Sequence, residues 1–165
     1  MAAWNTVAPS FVGHQAIDVN SAEQKHELGT CIDAKHDSYG VGKFIYLKGV
    51  ASTAVGSWVT FNQDDHSTAL LAANAIGPVA VAMAPTVAGE FGWYQVYGKA
   101  VGKAGASFAD NGLVYATGTD GTVDDAVVAG DRVKRAKGAS DLDVPGTGLA
   151  EFEIHHPFMD DGSAT

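Results

Sequence analysis

Six histidines are the first place to look for chemistry: His14, His26, His36, His66, His155 and His156. Zinc hydrolysis calls for H-E-x-x-H, which puts two imidazoles and a general base on one helix face. The chain begins that motif at His26-Glu27 but has Thr30 where the second ligand belongs. His155 and His156 are neighbours, and neighbours in a strand point to opposite faces, so they share an ion only across a bulge. Phosphate binding needs a glycine turn closed by Gly-Lys-Ser/Thr. "GVGK" at 40–43 and "GKAVGK" at 98–103 offer glycine and lysine, but Phe44 and Ala104 follow the lysines. Asp37 and Tyr97 stand where the motif's first glycine should be. A nucleophile elbow, G-x-S-x-G, is approached by "GASFA" at 105–109, which lacks the last glycine. Ser107 therefore reads as an ordinary strand or turn residue.

Acidic residues come in pairs at Asp64-Asp65, Asp124-Asp125 and Asp160-Asp161, which read as solvated loops. "DLDVPG" from Asp141 starts like a calcium loop, then places Pro145 fifth and Phe152 twelfth, where the bidentate glutamate belongs. No acid–base pair or nucleophile set stands out, so the expectation is a protein that is not an enzyme, with no cofactor and no metal.

The basic residues concentrate in "DRVKRAKG", which carries Arg132, Lys134, Arg135 and Lys137. One reading is a charged edge strand that discourages aggregation. The sharper alternative is contact with an acidic partner surface. Trp58, Trp93, Tyr94 and Tyr97 could form a sugar-binding platform, although aromatics in alternating strands more often fill the space between sheets.

These residues belong to a chain of 165 residues with formal net charge −9 and 18% charged residues. That length suits one domain with a core needing no disulfide. The single cysteine, Cys31, reads as a small buried hydrophobe. An acidic chain is repelled by phosphate backbones and anionic lipids, so neither nucleic acid nor membrane is the expected partner. Residues 67–89 carry no charge, but Asn74, Pro78, Pro85 and many alanines weaken any transmembrane reading. The opening "MAAWNTVAPSF" lacks the basic and apolar regions of a signal peptide.

From Leu28 onward the apolar pattern has period two, punctuated by turn residues. "GKFIYLKGV", "GSWVTFN", "GPVAVAMA", "GLVYATGTDGTV", "AVVAGDRVKRA" and "EFEIHHPF" each read as a strand or hairpin. Pro157 cannot donate to a ladder, so the last strand should end there or lie at an edge. "STALLAANA", within 67–76, reads as either a short helix or a strand. The expected fold is all-β: a single-domain β-sandwich or small barrel, with a jelly roll among the options, and at most one short helix. Residues 1–27 read as an irregular N-terminal arm, 28–158 as the β-rich domain and 159–165 as a tail.

The stretch "GEFGWYQVYGKAVGKAG" sits in the middle. As a strand, it puts Phe91, Trp93, Gln95 and Tyr97 on one face. The other face runs through Gly98, Ala100, Gly102 and Ala104 and is almost bare backbone, which lets another backbone approach closely within the fold or across a subunit interface.

Four segments together resemble the capsid decoration, or cement, proteins of tailed bacteriophages. They are "LGTCIDAKHDSYGVGKFIYLKGVASTAVGSWVTF", "GPVAVAMA" with "GEFGWYQVYGKA", "LVYATGTDGTVDDAVVAGDRVKRA" and "AEFEIHHPF", in that order. The resemblance implies a structural virion protein on the outer surface of a phage head. It would bind the major capsid protein, act as a homo-oligomer, often a trimer, and hold capsid subunits together. The candidate interface residues are then Trp4 and Phe11 in the arm, Gly98, Ala100 and Gly102 on the bare face, and Arg132, Lys134 and Arg135 in the basic cluster. A carbohydrate- or receptor-binding β module is the alternative, and a β-rich hydrolase the third class.

Overall fold

The computed structural model describes residues 3–6 and 14–160. Phe11 and residues from 161 onward lie outside the described residues. Eleven strands follow in chain order: β1 (Asn5–Thr6), β2 (Cys31–His36), β3 (Gly40–Lys48), β4 (Trp58–Phe61), β5 (Thr68–Leu70), β6 (Gly77–Ala82), β7 (Phe91–Lys103), β8 (Leu113–Ala116), β9 (Val123–Asp124), β10 (Arg132–Gly138) and β11 (Leu149–Met159). The described residues form no helix. The ambiguous stretch at 67–76 resolves as β5, whose Thr68 pairs with Phe61, followed by a turn in which Asn74 is left-handed (φ 59°). So short a segment gains more from a ladder than from an isolated helical turn.

The strands join one antiparallel sheet in the order β1-β2-β3-β7-β6-β11-β10-β8-β9, with β4 on β6 and β5 on β4. Its two ends do not meet, so the sheet is not closed into a barrel. It folds over itself like a sandwich. The fold-over centres on β7, which pairs with β3 from Phe91 to Tyr97 and with β11 from Tyr97 to Lys103.

Three adjacent strands bend where β7 changes partners. Gly98 on β7, His156 on β11 and Arg135 on β10 all have positive φ, at 101°, 49° and 60°. Gly98 and Ala136 both stand opposite Ile154, which puts the three irregularities side by side. Bulged residues bend strands and add local twist, so this line is where the sheet turns its corner.

The bulge at His156 corrects two expectations. His155 and His156 are both exposed instead of facing opposite ways, and their rings lie 5.9 Å apart. The strand also continues past Pro157, which is buried, to Met159. Proline is tolerated inside a sheet at a bulge, where the ladder is already interrupted.

Three apolar clusters fill the fold. Trp58, Val79 and Val81 pack with Ala100, Phe152 and Ile154, while Val59, Ala80 and Ala82 pack with Ile45, Tyr94 and Val96. Strands β4 and β6 are thus buried on both faces. The third cluster joins Trp93, Tyr46 and Phe44 to Ile17.

That third cluster corrects the expected boundary at residue 27. Residues 14–27 contribute to the core through Ile17 and Gln15, both buried. Gln15 Nε2 donates to the carbonyls of Val19 and Phe91, and Tyr46 Oη donates to Gln15 Oε1. Trp93 Nε1 donates to the Gln15 carbonyl at 2.9 Å. The lead-in covers the β3–β7 face through one polar residue bonded both within the lead-in, at Val19 and His26, and to the sheet beneath it, at Phe91 and Tyr46.

Candidate functional site

The basic strand β10 reads Val133 in, Lys134 out, Arg135 out, Ala136 in. Two outward residues separate the inward pair because β10 is irregular here: it runs from Arg132 to Lys137 while its neighbour β8 runs only from Tyr115 to Leu113, and Arg135 is left-handed. A left-handed arginine costs about 1–3 kcal/mol against a relaxed backbone, and such strain concentrates where a side chain must be aimed.

Arg135 is aimed into a groove of about 670 Å³ on the outer face of the corner. Strands β7, β11 and β10 supply its floor through Tyr97, Gly98, Lys99, Glu153, His155 and Lys137, and Val41, Leu113 and Arg132 complete its lining. The outward positions of β11 follow from its alternation, since Phe152 and Ile154 face the core and leave Glu153 and His155 outside.

The charges in the groove divide into two kinds. Lys99 pairs with Glu151, and Lys137 pairs with Glu153 at 3.3 Å and with Asn111 Oδ1 at 2.9 Å. Arg132 and Arg135 are exposed and make no ion pair with a described residue. Next to the groove, burial, helped by the positive neighbours His155, Lys43 and Arg135, holds the His156 imidazole below its ordinary pKa. Val41, Tyr97 and Leu113 are large apolar side chains left exposed at the same place. Beneath them Gln95, fully buried, donates from Nε2 to the carbonyls of Tyr97 (3.0 Å) and Lys99 (3.2 Å) and so fixes the bend at Gly98.

The edge-strand account of the basic cluster does not hold: β10 lies between β11 and β8 and has no edge to protect. Of the candidate interface residues, the fold brings Gly98, Arg132 and Arg135 together in this groove. Lys134 lies outside it, paired with Asp160 at 2.7 Å. Ala100 and Gly102 are buried, and their close approach is made inside the fold, against Trp58. Trp4 is half-buried on the domain itself, with its ring 5.2 Å from His36 and 4.9 Å from Phe44. Phe11 lies outside the described residues. Val41 and Leu113 carry no sequence signal of a site, and His155 stands out in the sequence only as a candidate metal ligand. The "HHP" sequence was the available signal, since proline inside a strand marks a bulge.

Among the described residues, no group of three or more His, Cys, Asp or Glu side chains is placed to hold a metal ion. No helix among them is long and apolar enough to cross a membrane. Trp58, Trp93 and Tyr94 are fully buried, which leaves Tyr97 as the one exposed ring of the proposed sugar platform. Cys31 is exposed at the start of β2 instead of buried. A second groove of about 580 Å³ beside the β4–β5 hairpin is lined by Asn62, Gln63, Asp64 and Ser67 and carries no basic side chain. Comparison of the chain with family models, with curated proteins and with solved structures returns no match.

Proposed function

We propose that this chain is a non-enzymatic structural protein of a phage particle, binding the outer surface of the head and tying neighbouring major capsid subunits together. The resemblance of its four strand segments to capsid decoration proteins motivates the reading. The observation that carries it is the groove: two arginines without an ion-pair partner among the described residues, beside exposed Tyr97, Val41 and Leu113, in a chain of net charge −9. Arginine and tyrosine around a small apolar centre make up the composition of protein–protein contacts. In this reading the protein acts as a homotrimer at local threefold positions, and its partner presents an acidic surface.

A carbohydrate-binding module would need its tryptophans outside, and Trp58 and Trp93 are in the core. The test is co-sedimentation of purified protein with phage heads stripped of it. Saturable binding at a stoichiometry comparable to the capsid subunit supports the proposal. Failure to sediment with intact heads contradicts it.

A further inference from the structure

We infer that the groove over the β7–β11–β10 corner is a docking site for an extended acidic peptide segment, with Arg132 and Arg135 taking carboxylates and Tyr97, Val41 and Leu113 seating an apolar side chain between them. The inference rests on the proposed reading in one respect, that the partner is a protein. The rest comes from the groove.

Charge complementarity selects the occupant. The chain carries 19 Asp and Glu against 10 Lys and Arg, yet the groove holds Lys99, Arg132, Arg135 and Lys137 against Glu153 among its lining residues. The lysines are already engaged by Glu151 and Glu153, which leaves the two guanidiniums to meet incoming anions. A guanidinium offers a planar fork that matches a carboxylate in two parallel hydrogen bonds. The volume suits a few side chains, in the range of ordinary ligand clefts. A nucleic acid fits poorly, because two available cations release few counterions and the rest of an acidic chain repels a polyanion.

The groove is also preorganised. The backbone at Gly98 is held by the Gln95 amide and that at Arg135 by the irregular strand, so the ordering left for the moment of binding falls on the exposed side chains.

The test is an NMR titration of the intact chain with the blocked peptide acetyl-Glu-Asp-Leu-Glu-Asp-amide, against its Gln/Asn counterpart and a short oligothymidine. Chemical-shift changes centred on Tyr97, Arg132, Arg135 and His155, with binding weakened about tenfold or more by Arg135→Gly combined with Arg132→Ala, are the expected result. Lys134→Ala, which removes a cation outside the groove, should leave affinity within about twofold. An unchanged amide spectrum away from the substitutions shows that the double variant is folded. Equal binding of the neutral peptide, unaltered binding by the double variant, tighter binding of the oligothymidine, or no binding would each overturn the inference. If the double variant still sediments with heads like the wild type, the groove assignment fails while the decoration reading stands. If the peptide binds but the protein ignores heads, the reverse holds.

Discussion

Gly102 and Trp58 interlock: a β-carbon at Gly102 would stand 2.6 Å from the indole Nε1. The ring cannot retreat, because it is fully buried and meets Phe152 edge-on with centroids 4.9 Å apart. Gly102→Ala should therefore destabilise the protein by about 1–3 kcal/mol, and Gly102→Val by more, through overpacking. Urea unfolding checks this. A neutral Gly102→Val would mean the ring has room to move.

Gln15 should behave as a core residue despite its polarity. Gln15→Leu takes away the acceptor of the Tyr46 Oη hydrogen, while the Phe91 carbonyl keeps the Ser21 N–H, and an unsatisfied buried donor costs about 1–3 kcal/mol. Removing residues 1–12 should leave a cooperative unfolding transition, whereas removing 1–20 also takes away Gln15 and Ile17 and should lower the melting temperature sharply. Equal melting of the two truncations would contradict the covering role of residues 14–20.

Tyr94 links stability to alkaline pH. Burial pushes its hydroxyl pKa up to about 12 from 10, only partly offset by the nearby hydroxyls of Thr68, Thr86 and Thr53. The raised value means the folded state holds its proton longer than the unfolded chain. That stability is complete below pH 10 and disappears as pH rises toward 12, amounting to about 2–3 kcal/mol. Tyr94→Phe should flatten this alkaline loss, measured as unfolding free energy against pH. A variant with the same slope as the wild type would locate the loss elsewhere.

Arg135 separates backbone strain from charge. Glycine accepts a φ of 60° freely and alanine does not, so Arg135→Gly should be more stable than Arg135→Ala by about 1 kcal/mol. Thermal melts of the two variants decide it, and equal stabilities would mean the left-handed bulge carries no strain.

How far the sequence announces this fold varies from residue to residue. Val79–Val81 and Phe152–Ile154 alternate in period two, and that alone identifies strands and their inward faces. The corner is hidden because bulges shift the phase without changing composition: Arg135 looks like one more charge, and His155-His156 like two opposite faces. Gln15 is hidden for a different reason. Its burial depends on Tyr46, Phe91 and Trp93, far away in the chain, and no local pattern shows that a polar residue will find its partners there. The basic cluster is visible in sequence, but its place between β11 and β8, which turns it from edge protection into a candidate contact, is a property of topology.

Quantitative mass spectrometry of purified particles tests the central proposal most directly. A copy number of the same order as the major capsid protein is the predicted result. A handful of copies per particle would move the chain to a tail or fibre, and its absence from particles would contradict the virion reading.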